Sequence, residues 1–487
     1  MGPLPTTGRA RSMTAARRRA AVAILLTGAL TALAGCSVTQ HVSSPAVSRP
    51  LVGASSPGAK SGSTGLPTVT HGVRALWQGA PWSDLTFGGR DLLGIDVATN
   101  QVHVVRAATG AQLWTATMPK SAPLILGLLP AGNVVVVAAG HDTGPSPMGY
   151  IPIVSAYVAL DLATGKRLWE TSVGGDYQSP PAAVSGKYLL TGDASGAVTA
   201  RKVATGAVVW RDARPAGCGP APTEAAANAG LGLAADGSLV AASFSCRSRI
   251  VVQRLNPATG RPAWTWRSPS VGANVGVYLG VTAAAVQGGV VLVSGQIGPP
   301  PAAQRWLSRF PHARPWPGVL GPADAESTIL ALDAATGHPR WSELGGQQVT
   351  VAPTDAAVCE VVDVGVECRD DTTGAATMPV LLTGRTQSST PPYADDGYAG
   401  VSGGLVAVTM PASSGGVTLR VQRVHGGTVV AQVHLPVGTT GYNGSKYDVF
   451  AIGAGPLGST AIVVLVRRID LPGYPVLALE VPLKAVA

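Results

Sequence analysis

The sequence predicts an all-β fold built from a repeated unit, and three observations support this prediction. Glycine and proline supply 62 and 39 of the 487 residues, which leaves little room for long helices and favours short strands joined by turns. Charged residues make up 13% of the chain, a proportion too low for wholesale disorder. A short motif containing tryptophan recurs along the chain, as expected of stacked repeat units.

The first 35 residues have the composition of a signal for export. Arg9, Arg11 and the three arginines at 17–19 form a basic start without acidic residues, and an apolar run follows at 20–34. The tetrapeptide at 33–36, Leu-Ala-Gly-Cys, resembles the bacterial lipobox. The resemblance implies cleavage before Cys36 and attachment of diacylglycerol to its sulfur. We therefore expect a lipoprotein signal peptide over residues 1–35, with an ordinary signal peptide as the alternative.

Residues 36–68 are predicted to form a flexible tether. Ser, Gly, Pro, Ala and Thr supply 22 of the 32 residues at 37–68, and none is acidic. Such a segment cannot bury enough apolar surface to fold, and its reach is roughly 30 Å. Without the five arginines of the leader, the chain has 30 basic and 26 acidic residues, a near balance that does not favour nucleic acid as a partner. No later segment approaches the ~18 apolar residues of a membrane helix.

The motif Thr-Gly-x-x-x-Trp recurs five times and accounts for five of the ten tryptophans. Two weaker copies without tryptophan follow, at residues 373–374 and 426–427. Alternating runs such as 157–161 and 329–333 precede the motif and predict half-buried strands. The five full copies place their glycine and tryptophan at Gly110 and Trp114, Gly165 and Trp169, Gly206 and Trp210, Gly260 and Trp264, and Gly337 and Trp341.

The residue types of this motif predict a hairpin with a tryptophan on its second strand. Glycine supplies the left-handed backbone of a three-residue loop closed by a bulge. Asp161 and Asp333, which precede two of the turns, can cap them through their side chains. The tryptophan ring then lies on an apolar face between neighbouring sheets. Because one such sheet cannot bury both of its faces, the units must stack on one another.

The motif resembles the PQQ-like repeats of quinoprotein-type β-propellers, in which Ala-x-Asp-x-x-Thr-Gly-x-x-x-Trp marks the turn and outermost strand of each blade. The resemblance covers roughly residues 69–487 and implies one propeller of four-stranded blades. Successive turn glycines lie 55, 41, 54, 77, 37 and about 53 residues apart, and seven turns are visible. Residues 72–77 predict an outer strand that pairs with strands near 460–466 and 474–481. This pairing would complete an eighth blade and close the ring, so eight blades are favoured over seven.

Four cysteines remain besides Cys36, an even number that suits an oxidising compartment. Three pairings are possible. Residues 358–368 predict two strands folding on a turn that contains glycine, which favours a disulfide between Cys359 and Cys368. Cys218 and Cys246 then pair by elimination. A zinc site is the alternative, although the sequence has no Cys-x-x-Cys pair.

Motifs associated with catalysis are interpreted as turns. Residues 400–404 match Gly-x-Ser-x-Gly and residues 453–458 match Gly-x-Gly-x-x-Gly, but both lie in strand-rich sequence without the helix that either chemistry needs. The quinoprotein dehydrogenases that the repeats resemble hold their cofactor with adjacent cysteines and a calcium site, and this sequence has no adjacent cysteines. The vicinal acidic pairs at 370–371 and 395–396 are predicted to be surface turns. We therefore expect no catalytic residue, metal or cofactor.

The 77-residue interval contains a proline-rich insertion at 296–323. Its residues Trp306, Arg309, Phe310 and Trp316 have the composition of interaction hot spots and are candidate partner-binding residues. The alternative is a loop folded back over its own blade. The layout is similar to that of the propeller lipoprotein of outer-membrane assembly. It predicts a monomeric, non-catalytic, lipid-anchored extracytoplasmic scaffold that binds a protein or an envelope component, with a quinone- or sugar-binding redox enzyme or sensor as the alternative.

Overall fold

The computed structural model confirms the all-β prediction. Every regular element in the described part of the chain is a strand, and no helix there has the length and apolar character of a membrane span. The described residues are 73–96, 99–120, 122–146, 149–173, 182–193, 196–212, 215, 218, 231–236, 239–246, 249–269, 280–287, 289–296, 313–314, 327–345, 350–354, 357–362, 365–378, 381–382, 399–402, 404–411, 417–435, 446–454, 460–468 and 475–482.

The described strands form eight sheets, called blades here. Strand β1 (Arg74–Pro81) precedes blades 1 to 4, which have four antiparallel strands each. Blade 1 consists of β2 (Ser83–Gly88), β3 (Asp91–Asp96), β4 (Gln101–Arg106) and β5 (Gln112–Thr117), and blade 2 of β6 (Leu124–Ala131), β7 (Val134–Ser146), β8 (Gly149–Asp161) and β9 (Arg167–Ser172). Blade 3 consists of β10 (Ala182–Ser185), β11 (Tyr188–Gly192), β12 (Val198–Lys202) and β13 (Val208–Asp212). Blade 4 consists of β14 (Leu231–Asp236), β15 (Leu239–Cys246), β16 (Arg249–Leu255) and β17 (Pro262–Arg267).

Blades 5 to 8 follow in the same order, and blade 5 has an additional strand. Blade 5 consists of β18 (Gly280–Gln287), β19 (Val290–Gln296), β20 (Ala313–Arg314), β21 (Ser327–Asp333) and β22 (Pro339–Gly345), and blade 6 of β23 (Thr350–Thr354), β24 (Ala357–Val362), β25 (Gly365–Asp370) and β26 (Leu381–Leu382). Blade 7 consists of β27 (Ala399–Ser402), β28 (Leu405–Pro411), β29 (Val417–Arg423) and β30 (Val429–Leu435). Blade 8 consists of β31 (Lys446–Ala454), β32 (Thr460–Arg468), β33 (Pro475–Pro482) and β1.

The middle strands of a blade are buried on both faces, which corrects the prediction of half-buried strands before the turns. In β8, Tyr157, Val158, Ala159 and Leu160 are each at most 2% exposed. Alternate residues of such a strand pack against the blade before and the blade after it. Because both faces meet a neighbouring sheet, the strand is apolar at consecutive positions, as in sheets covered on both sides.

The first and last described strands belong to the same sheet. Strand β1 pairs antiparallel with β33, with Arg74 opposite Glu480 and Gly79 opposite Val476. The innermost strands of successive blades contact one another, and β2 of blade 1 contacts β31 of blade 8. Contacts therefore run from blade 1 through blade 8 and back to blade 1, with the N-terminal strand forming the outer edge of blade 8.

Blades 5 and 6 depart from the predicted four equal strands. Strand β20 pairs parallel with the outer strand β22, with Ala313 opposite Ser342, and makes blade 5 five-stranded. The proline-rich insertion thus returns at residues 313–314 to the outer edge of its own blade. In blade 6 the outer strand β26 is only two residues long, and a bridge between Arg369 and Ala376 precedes it.

Candidate interaction face

The blades have two ends that differ in their connections. The turn face is the end that carries the connections from the first to the second strand and from the third to the outer strand. The loop face is the opposite end, from which the second-to-third connections and the connections between blades leave. On the turn face, seven of the eight first-to-second connections are two residues long. On the loop face, the connections at 213–230, 297–326 and 383–398 have 18, 30 and 16 residues.

A two-stranded extension also rises from the loop face of blade 2. Strands β7 and β8 have 13 residues each, and they remain paired as far as Ser146 and Gly149. Their neighbours β6 and β9 pair with them only up to Gly140 and Ala156. The hairpin therefore projects beyond the other strands of its blade. This hairpin was not predicted from the sequence, because the glycine and proline residues near its tip do not indicate strands.

Turns of the repeated motif occupy the turn face. In blade 2, Asp161 N donates to Lys166 O (2.9 Å) and Gly165 N donates to Asp161 O (2.8 Å). The loop between Asp161 and Lys166 therefore has four residues, one more than the predicted three-residue loop. The extra residue is accommodated by one helical turn before the left-handed Gly165. The glycine has φ of +72°. The same pattern occurs at the other motif glycines, whose φ values are +69° at Gly110, +72° at Gly206, +71° at Gly260 and +74° at Gly337.

Each motif tryptophan contacts the turn of the next blade rather than its own. The Trp114 indole donates from Nε1 to the carbonyl oxygen of Leu162 (2.7 Å), and its ring covers Gly165 so closely that a Cβ there would lie 2.7 Å away. This indole contact, defined as the hydrogen bond together with the covered glycine, joins six pairs of blades. The donors and acceptors are Trp77 and Ala107, Trp114 and Leu162, Trp169 and Val203, Trp210 and Pro257, Trp264 and Ala334, and Trp341 and Asp371, at 2.6–3.0 Å.

Blades 6 and 7 have other residues at the tryptophan position. In blade 6 the tryptophan position holds Met378, which is buried and accepts a hydrogen bond at its sulfur from Gln422 Nε2 (3.2 Å). In blade 7 the position holds the buried Ala431. In blade 8 the third strand β33 and the outer strand β1 are not consecutive in the sequence, so no third-to-outer turn offers a glycine for an indole to cover.

Aspartates before the turns cap them, and hydrogen bonding lowers the pKa of their carboxyl groups. Thr164 donates from both its hydroxyl and its backbone N–H to Asp161 Oδ1, and these bonds lower the pKa of Asp161. The Arg340 guanidinium contacts Asp333 Oδ2 at 2.7 Å and, with bonds from Thr336, lowers the pKa of Asp333 to about 2. The prediction of a surface turn is wrong for Asp371. This residue is buried, and its backbone carbonyl oxygen accepts the hydrogen bond from Trp341 Nε1.

Both predicted disulfides are confirmed. Cys359 and Cys368 are directly opposite each other on β24 and β25 and are fully buried, facing blade 7. Cys218 and Cys246 join the long connection after blade 3 to the end of β15 in blade 4. The second disulfide lies on the loop face, where it fixes part of the connection at 213–230. No group of three potential metal ligands occurs in the described part of the chain.

Several predicted site residues lie outside the described residues. They are Cys36, Trp306, Arg309, Phe310 and Trp316, together with the acidic pair at 395–396. Of the first motif associated with catalysis, residues 400–402 and 404 are described: Ser402 ends β27 and is opposite Leu405 of β28. Residues 453–454 end β31, and β32 returns antiparallel beside it.

A polar cluster between blades 8 and 1 was not predicted. The rings of Trp82 and His103 stack with centroids 5.4 Å apart, and His103 Nε2 lies 3.8 Å from Asp96 Oδ2. Neither ring nitrogen of His103 has a hydrogen-bond partner among the described residues. No sequence signal could have identified this cluster, since Trp82 lies in the connection before β2, Asp96 ends β3 and His103 lies in β4. It places one imidazole and one carboxylate together, too few groups to hold a metal.

Comparisons with known proteins found a family model and solved structures that are similar to parts of this chain. A family model described as "Outer membrane protein assembly factor BamB" matches residues 154–304, about a third of the chain. No curated protein matches the sequence. Among solved structures, BamB from Moraxella catarrhalis is 15% identical, with 84% of this chain and 99% of that chain covered and a TM-score of 0.44. A europium-containing methanol dehydrogenase is 12% identical, with coverages of 84% and 93% and a TM-score of 0.45. Likenesses at this level do not assign a function.

Proposed function

We propose that this protein is a non-catalytic, lipid-anchored extracytoplasmic scaffold that binds a protein or a cell-envelope component through its loop face. The observation that carries the proposal is the difference between the two ends of the blades. The turn face consists of tight turns whose glycines and carbonyl oxygens are used by the indole contacts. The loop face bears the long connections and the projecting hairpin, and long loops on a rigid scaffold are where binding residues concentrate.

The anchor and the tether supply the rest of the proposal. In this proposal, the lipobox-like tetrapeptide at 33–36 directs attachment of a diacylglycerol to Cys36, and residues 37–68 link the anchor to the blades. The propeller would then act as a monomer at a membrane surface, with its described cysteines occupied in disulfides rather than available as nucleophiles. The family-model match to an outer membrane protein assembly factor supports an assembly or scaffold role.

Site-specific photo-crosslinking in intact cells tests which face binds. Lys120 is exposed at the loop face, and Lys166 is exposed in a turn of the turn face. Each would be replaced by p-benzoylphenylalanine, so the two variants differ only in the face that carries the probe. We expect a discrete high-mass adduct from position 120 and none from position 166. Adducts from position 166 alone would contradict the proposal.

Two further measurements test the lipid anchor and the absence of redox activity separately. Cys36→Ala is expected to move the protein from the membrane fraction to the soluble fraction, and a variant that stays in the membrane would refute the lipid anchor. Incubating the purified protein with pyrroloquinoline quinone and Ca²⁺ should give no bound chromophore and no dye reduction. A chromophore with turnover would instead support the redox alternative.

A further inference from the structure

Positive charge is concentrated in one segment of the chain. Residues 213–322 contain nine arginines and no lysine, against two acidic residues, Glu224 and Asp236. The net charge of this segment is +7, whereas the chain from residue 37 onward has a net charge of +4. The connection in which this segment ends also contains Asp324 and Glu326, so residues 213–326 have a net charge of +5 and the rest of the chain from residue 37 onward is close to neutral. The basic excess belongs to blade 4, the connections on either side of it and the insertion of blade 5.

Two of these arginines lie side by side at the loop face of blade 4. Arg249 begins β16 and Arg267 ends β17, and both are exposed. Arg267 is opposite Val251, two residues after Arg249, so both side chains leave the same face of the sheet. This is the face that packs towards blade 3, where Val251 joins the core shared by blades 3 and 4.

Neither arginine is paired within the described part of the chain. No hydrogen bond or ion pair joins Arg249 or Arg267 to a described residue, and Asp212 at the nearby end of β13 forms none with them. Other arginines at the surface are paired with carboxylates, for example Arg211 with Asp193 (2.5 Å) and Arg340 with Asp333 (2.7 Å). The guanidinium donors of Arg249 and Arg267 thus remain available to a binding partner.

The connections that leave this end of the blades add more arginines. Arg214 belongs to the connection at 213–230, Arg247 to the one between β15 and β16, and Arg305 and Arg309 to the one that follows β19. Of the two acidic residues in the segment, only Glu224 belongs to a loop-face connection, since Asp236 ends β14 at the turn face. Together, the loop-face connections between residues 213 and 326 contain five arginines and three acidic residues, Glu224, Asp324 and Glu326, an excess of two positive charges before Arg249 and Arg267 are counted.

We propose that Arg249 and Arg267 form the centre of a docking surface for a carboxylate-rich segment of a protein partner. The inference rests on the proposed function and adds the chemistry of the partner and the blade that binds it. A guanidinium group binds a carboxylate through two parallel hydrogen bonds, and opposite charges across an interface also speed association.

The composition of the segment favours a protein over an anionic membrane. A membrane surface attracts lysine as well as arginine through its diffuse potential. Here every basic residue is arginine, and aromatic residues accompany them: Trp266 beside Arg267 in β17, and Trp306, Phe310 and Trp316 in the sequence of the insertion. Arginine together with tryptophan is typical of the residues that dominate binding energy in protein interfaces.

The test compares two double charge reversals that change net charge equally. R249E/R267E acts at the loop face of blade 4, and R90E/R261E acts on exposed arginines at the turn face of blades 1 and 4. The full-length purified proteins would be titrated into a fluorescein-labelled 16-residue peptide rich in glutamate, and separately into vesicles containing 30% phosphatidylglycerol. Thermal unfolding of both variants should match the wild type, because all four side chains are exposed.

We expect R249E/R267E to weaken peptide binding roughly tenfold at low salt and R90E/R261E to weaken it less than twofold, with the difference shrinking at high salt. Equal losses in both variants would show a net-charge effect and overturn the inference. Loss of vesicle binding with unchanged peptide binding would identify a membrane instead and would also overturn it. In cells, an adduct at position 120 that persists in R249E/R267E would refute this inference alone, whereas absence of the adduct in the wild-type background would refute the proposed function.

Discussion

At the scale of single residues, contacts between neighbouring blades explain why glycine and tryptophan recur together in the repeated motif. The glycine accepts the tryptophan ring of the preceding blade, and the tryptophan covers the glycine of the following blade. Glycine is needed at this position for two reasons, since its φ is near +70° and a Cβ would enter the ring. The two residues therefore belong to one contact repeated around the molecule.

Two glycine substitutions separate the cost of the positive φ from the cost of the contact with the tryptophan ring. Gly132 has φ of +63° with nothing within 4 Å of a built Cβ, whereas Gly165 has φ of +72° and a Cβ 2.7 Å from the Trp114 ring. Gly132→Ala should lose about 1 kcal/mol of unfolding free energy from backbone strain alone. Gly165→Ala should lose about 1–3 kcal/mol more, because the ring must shift. Chemical denaturation measures both, and equal losses would contradict the role of the indole contact.

The capping aspartate of blade 5 gives a pH-dependent prediction. The pKa of Asp333 is about 2 in the folded protein, below its ordinary value of 3.8, so its ion pair with Arg340 stabilises the fold above pH 4. This stabilisation is lost as the pH falls from about 4 through 2. Asp333→Asn should therefore cost about 1–2 kcal/mol at pH 7 and almost nothing near pH 2.

Thermal unfolding across that pH range measures the difference between Asp333→Asn and the wild type. Asp161→Asn is the control, since Asp161 caps the equivalent turn of blade 2 without an arginine partner. Its effect should be smaller than that of Asp333→Asn. A pH-independent loss in Asp333→Asn would show that the cost comes from packing and not from charge.

At the scale of elements, blade 6 is held differently from the others. Its outer strand is short, it has Met378 where other blades have tryptophan, and its two middle strands are joined by the Cys359–Cys368 disulfide. The disulfide faces blade 7, packed with Val406, Val408 and Val424. A covalent bond thus lies in the blade whose contact with the next one lacks an indole.

Removing each disulfide should destabilise the protein by an amount set by the loop it closes. Cys359 and Cys368 are nine residues apart, and Cys218 and Cys246 are 28 residues apart. Chain entropy predicts losses of about 2.5 and 3.5 kcal/mol for the two double alanine variants. Denaturant titration of both variants checks the order. A much larger loss for Cys359→Ala/Cys368→Ala would show that packing against blade 7 outweighs chain entropy.

At the scale of the whole molecule, the N-terminal strand joins the two ends of the folded chain. Strand β1 completes blade 8 by pairing with β33, and Trp77 on β1 contacts the turn of blade 1 through Ala107 and Gly110. One short strand thus links the last blade to the first. Without it, β33 would have an unpaired edge and the core between blades 8 and 1 would lose its outer wall.

Deletion of residues 73–81 tests this link. The loss of Trp77 alone should cost about 3–5 kcal/mol, since the side chain is buried and hydrogen-bonded. We expect a lower and broader thermal transition, because blades 8 and 1 could then separate from the rest. Deletion of residues 37–68 is the control and should leave the transition unchanged. A sharp, unshifted transition after removal of 73–81 would show that β1 does not hold the ends together.

The sequence by itself determined the all-β class, the repeated hairpin, the cysteine pairing and the N-terminal strand that completes the last blade. The class, the hairpin and the Cys359–Cys368 pair follow from local rules, since left-handed glycines, strand-forming runs and cysteines placed across a turn are visible within a few residues. The Cys218–Cys246 pair follows by elimination, and the N-terminal strand follows from the strands that a closed ring requires. Only the tertiary structure decided which blade each tryptophan contacts, which residues take the tryptophan position in blades 6 and 7, and that the middle strands are buried on both faces. It also decided that Arg249 and Arg267, unpaired within the described part of the chain, share one end of blade 4. Those features depend on which sheets become neighbours, and contacts between residues 30–80 positions apart leave no periodic trace in the chain.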